Sequence, residues 1–442
     1  MKIRVESSKI IKPFYEHTPH PSTTSHIPLS VFDKVTYEAQ IAIIYAYHPP
    51  TPLNTAIELG LRKALVVYRE WGGRLGEDEH GNRVILLNDE GVRFVEASSS
   101  STLDQVMPFK PSPSLLSLHP SLKDNVKELV QVQLTRFTCG SLVVGFTAHH
   151  TIADGHSTSN FLVAWGQTCR GLRVNPLPLH DRNIFTPQNP PLIEYQHKGV
   201  EFMSKLKKEH DSLKEVHHIS EDVVVHKVHF TVEFLMNLKG KASSMNGNNK
   251  PYSTFESLLA HLWRVITKAR GLSGFESTQI RISVNGRTRL NPKVPSEYFG
   301  NLVLWAFPTT KVKELLREPL SHATKLIHDA IAKVNNDYFR SFVDFANTKA
   351  KEEDLVPTAN MNKHILCPNI EVDSWLRFPF YDLDFGTGCP YMFMPSYFPT
   401  EGMMFLIPSF VGDGSIDVFI PLFEDKLSLF KKICYSLDLL ED

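Results

Sequence analysis

The residues best equipped for chemistry are His149-His150-Thr151-Ile152-Ala153-Asp154-Gly155. They follow Leu142-Val143-Val144-Gly145-Phe146-Thr147-Ala148, a nearly unbroken apolar run that reads as a buried strand. Beyond Gly155, Phe161, Leu162, Trp165 and Cys169 return to helical spacing. The histidine pair therefore stands where a buried strand emerges into a loop ahead of a helix, a place where a rigid element can hold a side chain at the rim of the core. An imidazole with an ordinary pKa of about 6.5 can take a proton near neutral pH. The carboxylate of Asp154 can orient that ring, or hold the loop by pairing with an arginine. Histidines at strand ends are more often structural, and a His with an Asp four residues on can be half of a metal site. No HExxH or second ligand cluster accompanies this pair. Cys139 and Cys169 are further nucleophile candidates, but neither has a base near it in sequence. The chain carries no P-loop, GxGxxG or GxSxG pattern, so nucleotide hydrolysis, dehydrogenation and the usual serine hydrolase chemistry lack support.

The elements that must position this loop fall into two halves. In the first, Ile57, Leu61, Ala64, Leu65 and Tyr68 predict a helix over 57–71, stopped by Gly72-Gly73. Strand-like runs follow at Arg83–Leu87 and Val92–Glu96, and a Ser/Pro-rich stretch near 98–120 reads as loop. Leu129–Phe137 and Leu142–Ala148 form a hairpin about Thr138-Cys139-Gly140-Ser141. A proline-rich segment and a charged stretch, Lys205–Glu215, place a crossover at about 185–225. The second half opens with a strand at Val223–Phe230. A helix follows, started by the capping box Ser253-Thr254-Phe255-Glu256 and stopped by Gly271. Then come a strand at Gln279–Val284, a helix over 313–335, strands at 403–408 and 416–420, and a terminal helix near 425–438. These elements fit an α/β or α+β protein of two similar-sized domains, expected at 1–190 and 226–442 and joined by a linker over 191–225.

Composition narrows the partners. The 442 residues carry 47 Lys+Arg against 48 Asp+Glu, a net charge of −1, which argues against sequence-independent binding to nucleic acid. A hydrophobic fraction of 42% and an aromatic fraction of 10% argue against disorder. No apolar run is long enough to span a membrane, and the N-terminus lacks the apolar core of a signal peptide. Five widely spaced cysteines make a poor disulfide or zinc framework, so free thiols in a cytoplasmic protein are expected.

His150-Thr151-Ile152-Ala153-Asp154-Gly155 resembles the HxxxDG motif of the plant BAHD acyltransferases. Asp384-Phe385-Gly386-Thr387-Gly388 resembles their second signature, DFGWG, with Thr387 where the family usually has Trp. Asn285–Arg289 and Tyr298-Phe299-Gly300-Asn301 resemble further blocks, and the likeness covers essentially the whole chain. It implies two chloramphenicol-acetyltransferase-like domains about a central solvent channel, with acyl-CoA entering one mouth and the acceptor the other. His150 would deprotonate the acceptor, and Asp154 would point away and pair with Arg287 or Arg289. Asp384, Gly386 and Arg287 would be structural. No permanently bound cofactor or metal is implied, only acyl-CoA as co-substrate, and a monomer is expected. Peptide-bond-forming condensation domains share the HHxxxDG pattern but work within multidomain chains. A catalytically silent binding protein is the third reading, and intact His150 and Asp154 argue against it.

Three blocks look most like the amine-acylating branch, above all putrescine hydroxycinnamoyltransferases, with agmatine, tyramine and tryptamine acylators as near relatives and an O-acyltransferase of the same family as the remaining alternative. They are Ile27–Val35, Tyr68–Leu75 and Pro368–Trp375. A diamine keeps one ammonium charged while the other nitrogen attacks, so a carboxylate in the acceptor pocket would select it. Glu371 and Asp373, two apart, share one face of a strand, and Glu371 is the favoured reader of the charge. Ser30, Phe32 and Trp375 are placed with the acceptor and acyl group, Trp375 and Phe380 as an aromatic wall. For the phosphates of CoA, the helix start at Ser253 and Thr254 and the basic residues Lys268 and Arg270 are the candidates. Basic residues in a last helical turn also complement the helix dipole.

Overall fold

The computed structural model describes residues 1–16, 25–121, 126–208, 222–244, 250–359 and 364–438. Two large mixed sheets carry the chain. The first runs in the order Ile3–Ile11, Val92–Ser99, Val130–Phe137, Leu142–His149, Gln40–Tyr47 and Met392–Pro395. The second runs Val223–Phe230, Ile416–Phe423, Met403–Pro408, Ile370–Ser374, Ser277–Asn285 and Val303–Ala306, with Thr309–Lys311 paired to the far end of Ser277–Asn285. Each has its own buried apolar cluster.

The central strand of the first sheet, Leu142–His149, is buried along all but its last residue. It pairs antiparallel with Val130–Phe137 on one side and Gln40–Tyr47 on the other. Both faces are covered, which is why it reads as an apolar run with no alternation. Helices Asn54–Val67 and Gly155–Cys169 pack together, and Phe161 of the second meets Phe146 of this strand. Trp165 donates its indole N–H to the carbonyl of Ile57 at 3.0 Å. In the second sheet Ile370–Ser374 runs parallel to both neighbours, and Glu371 and Val372 are paired on both sides. The helix Thr254–Arg270 begins in the expected capping box between Ser253 and Glu256 and ends at Gly271, whose φ of 68° is left-handed.

The two halves are not closed units. Met392–Pro395 leaves the second half and becomes an edge strand of the first sheet, beside Gln40–Tyr47. In return Phe32 and Val35, from the first half, are buried in the second core. A boundary at 226 therefore does not separate the packing. Of the expected linker, residues 209–221 lie outside the described residues, as does most of the charged stretch Lys205–Glu215. The helix expected over 313–335 is two, Val312–Arg317 and Leu320–Lys333, because Pro319 between them cannot donate a backbone hydrogen bond. The strands Ile3–Ile11 and Gln40–Tyr47 and the helix Asn336–Asn347 were not anticipated.

Candidate active site

His150 is the first residue beyond the strand Leu142–His149, and its backbone N–H donates to the carbonyl of Ala39 at 2.8 Å. Its Nδ1 lies 3.2 Å from the hydroxyl of Thr36. Its ring borders a cavity of about 660 Å³ between the two halves, within the size range of small-molecule sites. An imidazole held there can exchange a proton with a bound molecule. His149 closes the strand and does not border this cavity; burial, only partly opposed by Glu38, lowers its pKa to about 4.

Asp154 turns into the protein. It caps the helix Gly155–Cys169, accepting from the N–H of Ser157 at 2.9 Å. Arg287 grips it with two N–H bonds, at 2.8 and 3.2 Å, and the N–H of Leu302 adds a third contact at 3.0 Å. Burial pushes this carboxyl up, but the Arg287 charge and these bonds outweigh it and hold the group below the ordinary carboxylate range. Arg287 also donates to Ser157 and to the carbonyls of Tyr298 and Gly300, so one guanidinium joins the two halves. Arg289 instead borders the cavity. Gly155 is required by contact rather than by conformation, since a Cβ there would stand 2.6 Å from the ring of Phe378.

The strand Ile370–Ser374 brings Glu371 and Asp373 to the wall of the same cavity. Their surroundings differ. Glu371 accepts from the Tyr37 hydroxyl through both oxygens at 2.7 Å, and Arg281 approaches it to 3.4 Å. Arg281 also donates to the Tyr37 oxygen and stacks over Trp305 at 3.9 Å. Asp373 accepts from the indole N–H of Trp375 at 3.1 Å. Among the described residues it has no lysine or arginine at ion-pair distance. Burial, reinforced by Glu371 and opposed by the Trp375 bond and by His150, raises its pKa. Tyr37 and Arg281 escaped the sequence reading. Arg281 left one signal, a charged residue between the core positions Ile280 and Ile282 of an alternating strand.

Trp375 is buried against Phe380 and Phe405, and with Phe380, Asp373 and His150 it borders a side pouch of about 30 Å³. That volume takes a water molecule and no ring. Ser253 borders the large cavity while its hydroxyl is engaged with Glu256, and Thr254 begins the helix without lining the cavity. Lys268 lies fifteen residues further along, about 22 Å away at the helical rise. Arg270 does not serve the cavity. Its guanidinium is buried against Glu401 at 2.7–2.9 Å and donates to the carbonyls of Pro368 and Asn369. The nearest counter-charge to this helix end is thus inside the protein, not on a ligand.

Two further expectations are corrected. Ser30 is a buried cap, its oxygen accepting from the N–H of Asp33 at 3.1 Å, and Phe32 is packed between Phe185 and Phe342 in the second core. Neither reaches the cavity, because the short turn Val31–Lys34 directs Phe32 and Asp33 inward. Asp384 organises its own loop, accepting from the N–H groups of Gly386 and Gly388 at 2.7 and 2.9 Å and from Arg170 at 3.4 Å. Gly386 and Gly388 have φ of 109° and 107°, which an L side chain rarely adopts. Thr387 between them is exposed, so its replacement of Trp leaves no hole in the core.

Comparison with known proteins agrees with this architecture. A family model described as the Transferase family matches residues 1–437. Agmatine hydroxycinnamoyltransferase 1 of Oryza sativa subsp. japonica is 52% identical over 446 residues, covering 99% of each chain. Putrescine hydroxycinnamoyltransferase 3 of the same organism is 51% identical over 442 residues, covering 99% of this chain and 100% of that one. The crystal structure of vinorine synthase superposes with a TM-score of 0.73 at 22% identity over 100% of both chains, which shows the shared two-domain, chloramphenicol-acetyltransferase-like fold. The chain belongs to the BAHD acyltransferases, the family that this Transferase model describes.

Proposed function

We propose that the protein transfers a hydroxycinnamoyl group from its CoA thioester to an aliphatic amine that carries a second cationic end, with putrescine as the acceptor. The observation that carries this reading is the placement of His150 and the cation-free carboxylate of Asp373 on one cavity wall. His150 takes the proton of the attacking nitrogen as that nitrogen bonds to the thioester carbonyl carbon. The C–S bond then breaks, the sulfur leaves and takes up a proton, and the products are an amide and free CoA. No covalent acyl-enzyme is needed. Asp154 holds the loop through Arg287 and takes no proton in the reaction. Asp373 receives the distal cation, while Glu371, already engaged by Tyr37 and Arg281, shapes that end of the pocket.

Arg289 and Arg377 border the cavity and take the phosphate-facing role that the buried Arg270 cannot fill. Agmatine is the second reading, favoured by the relative of that name at 52% identity. A monomer is the proposed state, and Cys139, Cys169, Cys389 and Cys434, none of them in a disulfide, suit the reducing cytoplasm. The test is CoA release from p-coumaroyl-CoA, followed with a thiol reagent, across putrescine, agmatine, tyramine, tryptamine and an alcohol. Release that depends on a dicationic amine supports the proposal. Release with the alcohol alone, or with none of the panel, overturns it.

A further inference from the structure

His150 has a second set of restraints, on its backbone rather than its ring. The carbonyl oxygens of His150, Thr151 and Ile152 point away from the cavity into a buried polar knot. The side-chain amide nitrogen of Asn301 donates towards the first two, at 3.0 Å each, and Arg182 donates to the third at 2.7 Å. Both donors are held by Asp33. One of its oxygens accepts from the Asn301 amide and backbone nitrogens at 2.9 and 3.0 Å, the other from Arg182 at 2.6 Å and the N–H of Ser30 at 2.8 Å. Asp33, Arg182 and Asn301 are at most 3% exposed.

The orientation of Asn301 follows from chemistry. Its nitrogen faces three oxygens, so a flipped amide would set a carbonyl against all three. The cost is visible on its other side, where the Asn301 carbonyl oxygen has no partner among the described residues. A buried orphan acceptor is expensive. It is retained here in a residue whose nitrogen fixes the main chain at the histidine. The three members come from separate parts of the chain: the turn Val31–Lys34, the short helix Arg182–Ile184 and the segment just before Val303–Ala306. Asn301 is also adjacent to Leu302, whose N–H bonds to Asp154. The loop from 150 to 154 is thus gripped at both ends by consecutive residues of the second half.

We propose that Asn301, Arg182 and Asp33 are positioning residues for His150, setting where its imidazole stands against the acceptor nitrogen. The inference rests on His150 acting as the base. Displacing a reacting group by about 1 Å can cost on the order of 100-fold in rate. The clamp touches neither substrate, so its loss should act on turnover rather than on binding.

The test uses the full chain with p-coumaroyl-CoA and whichever of putrescine and agmatine it turns over faster. Asn301→Ala, Asn301→Ser and Arg182→Lys are compared with Leu238→Ala, a cavity variant buried in the second core, all assayed well below their melting temperatures. The clamp variants should lose about 10–100-fold in kcat, with KM for both substrates changed less than about threefold. Leu238→Ala should keep kcat within about twofold despite a comparable loss of Tm. Arg182→Lys keeps the charge opposite Asp33 but loses the fork that also reaches Ile152, and it carries the test if the Asn301 variants do not fold. Clamp variants that behave like Leu238→Ala, or lose KM rather than kcat, overturn the proposal. His150→Ala measured alongside separates the two readings. If it stays active, the base assignment has failed. If it is inactive while the clamp variants retain full kcat, only the positioning role has failed.

Discussion

Replacing Asp373 by Asn isolates one charge. The substitution keeps the side-chain shape, and the amide oxygen can still accept from the Trp375 indole, as the carboxylate does at 3.1 Å. What is lost is the negative charge. In bulk water an ion pair at 4 Å gains only about 1 kcal/mol, rising to about 4 kcal/mol at an effective dielectric of 20, before the ammonium is stripped of water. The net value of a hydrogen bond to a charged group is about 1.5–3 kcal/mol. At 1.4 kcal/mol per tenfold, kcat/KM for putrescine should fall roughly 10–150-fold in Asp373→Asn. Butylamine, which has the attacking nitrogen but no distal cation, should lose less than about threefold, and KM for the acyl-CoA should hardly move. Glu371→Gln should discriminate less between the two amines, because Arg281 and Tyr37 already occupy that carboxylate. Steady-state CoA release with both amines is the assay. Acidity adds a second signature. Burial holds the Asp373 carboxyl above its ordinary pKa, and only the ionised form receives the cation. In wild type the preference for putrescine over butylamine should therefore shrink as pH falls through that raised value, and in the Asn variant it should be flat. Equal losses for both amines would remove Asp373 from charge reading.

Other perturbations follow from the same geometry. Asp154→Ala leaves Arg287 buried without its partner, at a cost of about 3–5 kcal/mol, so Tm should drop sharply along with activity; an unchanged Tm would refute the structural role. Because the Asp154 pKa is depressed in the fold, its stabilisation is complete above the unfolded value of about 3.9 and is lost as pH falls below it towards the folded value. Asp154→Asn should accordingly flatten the acid limb of a Tm-against-pH curve. His119, His149 and His261 are held neutral by burial with pKa values of about 4, so unfolding binds protons and stability should decline from pH about 6.5 down to about 4. A Tm constant over that range would contradict it. His149→Ala should retain most of the activity, since its ring does not border the cavity.

Local patterns in the sequence reached the His150–Gly155 loop because everything that marks it is local. An apolar strand, a histidine at its end, an N-capping Asp and a helix at regular spacing all lie within 142–169. The capping box at Ser253 was legible for the same reason. Arg270 shows where such reading stops. At a helix C-terminus a basic residue suits either the dipole or a ligand, and its actual partner, Glu401, lies 131 residues away. Asp33, Arg182 and Asn301 converge from positions up to 268 residues apart, with no periodicity to announce it. Gln40–Tyr47 went unassigned although it is largely apolar, and its neighbour Met392–Pro395 belongs to the other half of the chain, an exchange that no short-range pattern encodes.

The claim on which the account depends is that His150 takes the proton of the attacking nitrogen. The direct measurement is single-turnover transfer from p-coumaroyl-CoA to saturating putrescine by wild type and His150→Ala, with acyl-CoA affinity determined on the same samples. The account predicts a rate about 10²–10⁴-fold lower in the variant, with affinity within about twofold. Transfer by His150→Ala at more than about a tenth of the wild-type rate would contradict it.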